Sequence, residues 1–329
     1  MALAVSQVTS YDVAKLAGVS QSAVSRCFRP GGSASAAVRA RVAEAARSLG
    51  YAPSNAARAL TTRRSRTVGV LLTDSVVAYY PDVLLNLGRA IQAAGSRTLL
   101  FSVPSEAEAA TTLDDILGYQ VDGLVSAVGL TRGMCAALAR RGVPVVFYNR
   151  APQGPGTGAV GVDHAAAMAA LADHLVGIGR RTVAFLAGPP GALVSEARLQ
   201  TLRTALAERG GTVATVVRAD YSYRGGRAAL PALLLPGMPD AICCANDTMA
   251  LGVLDACRHD GGPPVPRTVA VTGFDDIEQA GWPSYDLTTL RQPAAAMAES
   301  AVELLSNPGG TERQVAATLV VRGSTQPAT

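Results

Sequence analysis

From Thr67 onward the chain alternates near-continuous Val/Ile/Leu runs with helix-length stretches, and that alternation leaves few architectures open. The runs are VGVLL, RTLLFSV, DGLVSAV, PVVFYN, AVGVD, TVAFLAG, TVATVVRAD, AICCAND, VAVTGFDD, LTTLRQ and TLVVRG. Stretches such as 105–119, 164–178, 195–209 and 293–306 separate them and have the length of helices. Strands that are apolar on both faces and joined by helices build parallel sheets covered on both sides. One modest sheet does not hold this many strands, so two α/β subdomains are expected.

The first 66 residues follow a different rule. In TSYDVAKLAGVSQSAVSRCF (9–28), Thr9 with Asp12 three residues on is a helix-start signature. Val13, Leu16 and Ala17 fall on one helical face, and Gly18 supplies the positive φ of a sharp turn. Ser20 suits the cap of a second helix with Val24 and Phe28 inward and Gln21, Ser22, Ser25 and Arg26 outward. A third helix is expected from Ala36 to Leu49, capped by Ser35 and stopped by Gly50, with Val38, Val42, Ala45 and Leu49 in one stripe. Tyr51-Ala52-Pro53 breaks it, and Ser54–Leu60 gives a helical pattern too short to be stable alone. TTRRSR (61–66) reads as a basic linker.

Charge separates the two parts. Residues 1–66 hold ten Lys or Arg against two acids, Asp12 and Glu44, for +8; the remainder holds nineteen against twenty-three, for −4. A basic helical head on a mildly acidic body is the electrostatic footprint of a DNA-binding module on a domain that does not bind DNA. This favours a helix–turn–helix whose polar face enters a major groove over an ordinary helical hairpin with a solvated face. Five cysteines without CxxC spacing (Cys27, Cys135, Cys243, Cys244, Cys257) read as buried, reduced thiols, neither metal ligands nor a disulfide framework. MALAVSQVTS has no charged leader before an apolar core, and no run has the length of a membrane span, so a cytoplasmic protein is expected.

In doubly wound sheets ligands bind beyond the carboxyl ends of the strands. The residues just past the strands here are Asp74 with Tyr79-Tyr80, Asn149-Arg150, Asp163, Pro189-Pro190 with Arg198, Asp220-Tyr221, Asn246-Asp247 and Asp275-Asp276. Tyr79, Asn149, Arg198, Tyr221, Asn246 and Asp275 form the expected site for a small polar ligand. Asp163, Asp247 and Asp276 fit helix N-caps as well as ligand contacts, Arg150 fits an ion pair, and Tyr80 fits the core.

These motifs together resemble the lactose-repressor (LacI/GalR) family of bacterial transcription regulators over essentially the whole length. YDVAKLAGVSQSAVSR is similar to the family's helix–turn–helix, GYAPSNAARAL to its hinge helix, and GPP…R, CANDTMALG, VTGFDD and LTTLRQP to its effector-domain signatures. The resemblance implies a helix–turn–helix headpiece (1–53), a hinge helix and linker (54–66), and a periplasmic-binding-protein-like effector and dimerisation domain (67–329). Within the last, it implies subdomains of about 67–162 plus 292–314 and about 163–291 plus 315–325. It implies a homodimer on a pseudopalindromic operator, with Gln21 and Ser22 reading bases and Arg26 on phosphate or base. Thr9, Tyr11, Ser20, Ser25, Asn55 and Arg58 complete the expected DNA contacts, and Leu60 matches the hinge leucine that wedges into the minor groove. In the effector domain Arg198 corresponds to a ligand-clamping arginine, Tyr221 to a stacking aromatic, Tyr79 to a first-strand aromatic, and Asn246 and Asp275 to polar contacts. Ala23 stands where many members have Thr, and Asn149 where many sugar-binding members have Asp.

The expected function is a repressor controlled by a sugar-like effector, without a cofactor or a bound metal. A periplasmic solute-binding protein of the same architecture is opposed by the basic head. A dinucleotide-dependent dehydrogenase is opposed by the single glycine of VGVLLTD, where GxGxxG would be needed. His164, His174 and His259 read as surface or cap residues, not as catalysts. No heptad run succeeds Gly323, which favours a dimer over a tetramer. A Leu60→Ala variant is expected to lose operator affinity in a DNA titration while keeping ligand binding; unchanged DNA affinity removes the hinge role.

Overall fold

A computed structural model of the chain describes residues 8–28, 32–52, 65–154, 156–307 and 311–326. The expected hinge residues Asn55, Arg58 and Leu60 lie outside these. The chain divides into two compact units, Met1–Arg66 and Thr67–Thr329.

The first unit contains helices α1 (Ser10–Ala17), α2 (Gln21–Cys27) and α3 (Ala36–Ser48). The Asp12 carboxylate accepts from both the Thr9 amide (2.9 Å) and its hydroxyl (2.7 Å), and these bonds hold the Asp12 carboxyl below its usual range. Gly18 closes α1 at φ 63°, Ser20 Oγ accepts from the Ala23 amide (3.2 Å), and Ser35 Oγ accepts from Val38 (3.4 Å). The core is Val13, Ala14, Ala17, Val24, Val42, Ala45 and Ala46, with Phe28 and Tyr51 packed on it at a 6.0 Å ring separation. Leu16 is not part of it. It is 57% exposed, because the face that meets α2 and α3 is centred on Val13, Ala14 and Ala17. Cys27 is half-buried, whereas Cys135, Cys243, Cys244 and Cys257 are buried, and all five are free thiols.

The second unit holds two six-stranded sheets. The first is built by β1 (Thr67–Thr73), β2 (Arg97–Val103), β3 (Gly123–Ser126), β4 (Val145–Tyr148), β5 (Gly158–Val162) and β11 (Glu312–Val315), in the order β11-β5-β4-β3-β1-β2 and parallel throughout. The second is built by β6 (Thr182–Ala187), β7 (Thr212–Arg218), β8 (Ala241–Cys244), β9 (Ala270–Asp275), β10 (Thr288–Arg291) and β12 (Thr318–Val320), ordered β12-β10-β9-β8-β6-β7 with only β12 antiparallel. The chain crosses between the sheets three times, after β5, β10 and β11.

The central strands are buried throughout, except at the two ends of β1, which explains their unbroken Val/Ile/Leu character. β11, ERQV, is a polar edge strand with alternating exposure, and so carries none of the apolar signal that reveals the others. The stretch 105–119 is not one helix. A 3₁₀ segment, Glu106–Thr112, leads into a short helix, Leu113–Gly118, and the Thr111 hydroxyl donates back to the Glu108 carbonyl within it (2.7 Å).

Helices α4 (Asp74–Tyr79) and α5 (Pro81–Ala93) come after β1, α6 (Leu113–Gly118) precedes β3, and α7 (Arg132–Arg140) precedes β4. α8 (His164–Gly177), α9 (Leu193–Ala207), α10 (Tyr223–Leu233) and α11 (Asp247–His259) belong with the second sheet. α12 (Ala294–Ser306) returns to cover the first. His174 on α8 is half-buried, against expectation. Its Nε2 pairs with the Thr325 hydroxyl (2.8 Å), and burial lowers its pKa.

α10 and α11 pack backbone to backbone. A Cβ on Gly252 would lie 2.2 Å from the Tyr223 carbonyl oxygen, so Gly252→Ala forces the helices apart. It is expected to destabilise the second unit by about 1–3 kcal/mol in chemical denaturation.

Candidate functional site

In the first unit, the expected DNA-contact residues Thr9, Tyr11, Ser20, Ser22 and Arg26 are exposed, Tyr11 at 72%. Gln21 and Ser25 are half-buried. Gln21 Nε2 donates to Ser10 Oγ (3.2 Å), which ties α2 to α1 and fixes the direction of the amide. Ser20 is engaged as the cap of α2 and also bonds the Ser22 hydroxyl (3.0 Å). These short polar groups leave a surface that hydrogen-bonds without bulk.

The second unit carries a cavity of about 640 Å³ where strand ends from both sheets converge. Asn149, Arg198, Tyr221, Asn246 and Asp275 all line it. The side chain of the sixth expected residue, Tyr79, lies outside the described structure. Its neighbour Tyr80 lines the cavity, contrary to the expectation that it belongs to the core. Tyr80 sits at the break between α4 and α5, with non-helical φ −131° and ψ 57°, and its hydroxyl accepts from Asn246.

The most buried charge in this wall is Arg198, 4% exposed. Its guanidinium lies 3.5 Å from the centroid of Phe274, donates to the Ala245 carbonyl, and pairs with Asp275 Oδ1 at 3.4 Å. Burial raises the pKa of the Asp275 carboxyl, and Arg198 opposes that rise. Gln292, in the crossing after β10, donates to the same Asp275 oxygen and accepts from Asn149 Nδ2 (3.0 Å). A polar chain therefore runs from Asn149, at the end of a strand in the first sheet, to Arg198 in the second lobe. A second link crosses beside it, where Asn246 Nδ2 donates to the Tyr80 hydroxyl (2.7 Å) and the Tyr221 carbonyl (3.2 Å). Asn246 also caps α11 by accepting from Met249 (3.0 Å). The Tyr221 ring lies against Gly188, where a Cβ would fall 2.2 Å from the ring.

Strain marks the same residues. Asn149 (φ 56°), Tyr221 (φ 65°) and Asp275 (φ 117°) all hold positive φ, at a cost of order 1–3 kcal/mol each. Among the described residues, no group of three or more His, Cys, Asp or Glu is placed to hold a metal ion, and no helix is long and apolar enough to cross a membrane.

This arrangement has relatives. Residues 9–54 match the bacterial regulatory proteins of the lacI family, and residues 172–325 match the periplasmic binding protein-like domain. The ribose operon repressor of Escherichia coli (strain K12) is 30% identical over 303 residues, covering 90% of this chain and 92% of that protein. A lac repressor bound to ONPG in the repressed state superimposes with a TM-score of 0.86 at 25% identity, over 97% of this chain and 100% of that one. The transcriptional regulator CelR in complex with cellobiose gives 0.69 at 28%, over 97% and 100%. The chain belongs to the lacI family.

As a lacI-family protein it is a ligand-responsive, DNA-binding transcriptional regulator. In this lacI-family chain the other polar residues at the strand ends take their roles from their partners, some as expected and some not. Asp163 is a cap, accepting from Ala166 (2.9 Å). Asp247 is neither cap nor ligand contact. It is fully buried, accepts from Ile277 (2.9 Å) and the Thr289 hydroxyl (2.5 Å), and burial pushes its carboxyl up to about 7. Asp276 is held by Arg291 (2.6 Å) and Arg322 (2.7 Å). Arg150 is an ion-pair residue, joined to Glu106. Gln292 and Glu106 are not among the residues that strand ends single out. The only signal for Gln292 is its place within LTTLRQP, and Glu106 lies beyond the end of β2, inside a stretch that reads as a helix.

His164 is not a surface residue. Its ring packs 5.8 Å from Phe274, and burial, then nearby Arg198, pushes its pKa down to about 4 from 6.5. Between those values the unfolded chain binds a proton that the folded chain refuses, so stability falls as pH drops through this window. The loss is of order 2–3 kcal/mol. Denaturation midpoints of the wild type and His164→Gln, compared from pH 7 to 4, are expected to converge on acidification as the wild type loses this contribution.

Proposed function

We propose that this chain is a homodimeric cytoplasmic repressor, not an enzyme, that binds a pseudopalindromic operator and is released from or fixed to it by a small polar, sugar-like effector. The headpiece is 1–53, the hinge and linker 54–66, and the effector domain 67–329. Gln21 and Ser22 read bases from α2. Thr9, Tyr11, Ser20, Ser25 and Arg26 position the helix on the backbone. Asn55, Arg58 and Leu60 contribute from the hinge, with Leu60 as the minor-groove wedge. Tyr79, Asn149, Arg198, Tyr221, Asn246 and Asp275 contact the effector, and Tyr80 and Gln292 join them.

The observation that carries this reading is the polar chain Asn149–Gln292–Asp275–Arg198, which links the two lobes across the cavity. A molecule that binds among these groups has different contacts in each degree of lobe closure, and only such differential affinity can shift a conformational equilibrium. The coupling to DNA is reciprocal: an effector that weakens the operator complex is itself bound more weakly by it. The relatives lend the effector class its support, since one is named for the ribose operon and another is a cellobiose complex. The non-enzymatic reading is supported by a site whose carboxylates and amides are engaged with one another.

Two measurements test this. Operator fragments selected from a random duplex pool are expected to bind full-length protein with affinity falling about 10³-fold or more between 50 and 200 mM salt. Protein lacking Met1–Arg66 is expected not to bind them; equal binding overturns the reading. Arg198→Ala is expected to lose the thermal shift given by the effector while still binding the operator.

A further inference from the structure

The cavity holds two arginines, and neither has charge to spare. We propose that Glu106 sets its charge selectivity: by neutralising Arg150 it reserves the site for an uncharged, hydroxyl-rich ligand and turns away phosphorylated or carboxylated forms of the same molecule. This rests on the reading of the cavity as the effector site.

Arg150 comes just after β4, and its side chain is 12% exposed. It meets the Glu106 carboxylate through two parallel bonds, Nη1 to Oε1 at 2.5 Å and Nη2 to Oε2 at 3.0 Å. Gly129 makes room for the pair. A Cβ there would lie 2.9 Å from Arg150 Nη2 and 3.2 Å from Glu106 Oε2. Arg198 is committed to Asp275 and the Ala245 carbonyl. With Asp220 the wall presents three carboxylates against two guanidiniums. An anion entering it must break one of these pairs or lie in a field of its own sign.

What the wall leaves unmet is one amide acceptor and two guanidinium donors whose charge is already paired. Asn149 Oδ1, Arg150 Nε and Arg198 Nε are buried without hydrogen-bond partners. The direction of the amide chain explains the first. The Asp275 carboxylate accepts, so Gln292 turns its NH2 to it and its carbonyl to Asn149. Asn149 must then donate, and its own carbonyl is left over. One acceptor and two donors suit hydroxyl groups, each of which donates once and accepts twice.

The test is calorimetric titration of full-length protein with pairs of a neutral sugar and an anionic derivative of it: D-ribose and ribose 5-phosphate, D-glucose and glucose 6-phosphate, cellobiose and cellobionate. The wild type is expected to bind the uncharged member of at least one pair, with its charged partner weaker by about tenfold or more. In Glu106→Gln that ratio is expected to fall by about tenfold, because Arg150 is then unpaired. Glu106→Ser reads the same ratio should Gln not fit, and Glu106→Gln with Arg150→Gln is expected to restore it. A wild type that binds the charged member as tightly, or a ratio unchanged in the Glu106 variants, overturns the role of Glu106 alone. Failure of every pair to bind the wild type overturns the sugar-like reading of the cavity and this proposal with it.

Discussion

A guanidinium taken out of water is expensive, and the ligand cavity is arranged around making Arg198 tolerable. Arg198 is stacked on Phe274, paired with Asp275, and bonded to the carbonyl of Ala245. Those partners sit at the ends of β9 and β8, so one side chain of α9 fixes the relative positions of three elements. Buried pairs of this kind contribute little net stability, yet removal of one partner costs about 3–5 kcal/mol because the other is stranded. The pair therefore acts mainly as a geometric constraint. It holds Asp275 where Gln292 can reach it, and Gln292 in turn reaches Asn149 in the other lobe.

The fold is legible in the sequence where burial is two-sided. Strands such as Val145–Tyr148 and Ala241–Cys244 are buried along their whole length and read directly as apolar runs. Glu312–Val315 leaves no such trace because an edge strand has one neighbour and needs no apolar pattern. The stretch 105–119 misleads because alanine and threonine spacing gives little face preference; only Ala109 and Ile116 are buried within the two short segments. In the headpiece the caps at Ser20 and Ser35 are legible because capping is local chemistry. The exposure of Leu16 is not, because it depends on where α3 lies.

The site is legible by the same logic, in part. Of the six residues expected from their places beyond the strand ends, Asn149, Arg198, Tyr221, Asn246 and Asp275 do line the cavity. Sequence order does not distinguish Tyr80 from Tyr79, since both come after the first strand and only the break between helices brings the Tyr80 ring to the cavity. Nor can it separate Asn246, which lines the cavity, from Asp247, which is sealed beneath it and shares its hydrogen bonds with Ile277 and Thr289. Adjacent polar residues at a strand end point to opposite sides, and their roles depend on which side holds solvent.

The three crossings between sheets carry a consequence for biosynthesis. α12 buries Met297, Ala298, Ala301 and Leu304, and it packs on α5 and on β3, β4 and β5. The edge strand that pairs with β5 begins only at Glu312. Both pieces leave the ribosome after the whole second sheet except β12 has been made. The lobe whose first strand is translated earliest thus waits until nearly the end of the chain for its last pieces, with an apolar flank uncovered over some 130 residues of synthesis. Such a delay at ribosomal speeds of ~5–20 residues per second leaves that flank bare for about 6–26 seconds. Chaperone dependence during expression is the natural counterpart of a lobe assembled from non-adjacent segments.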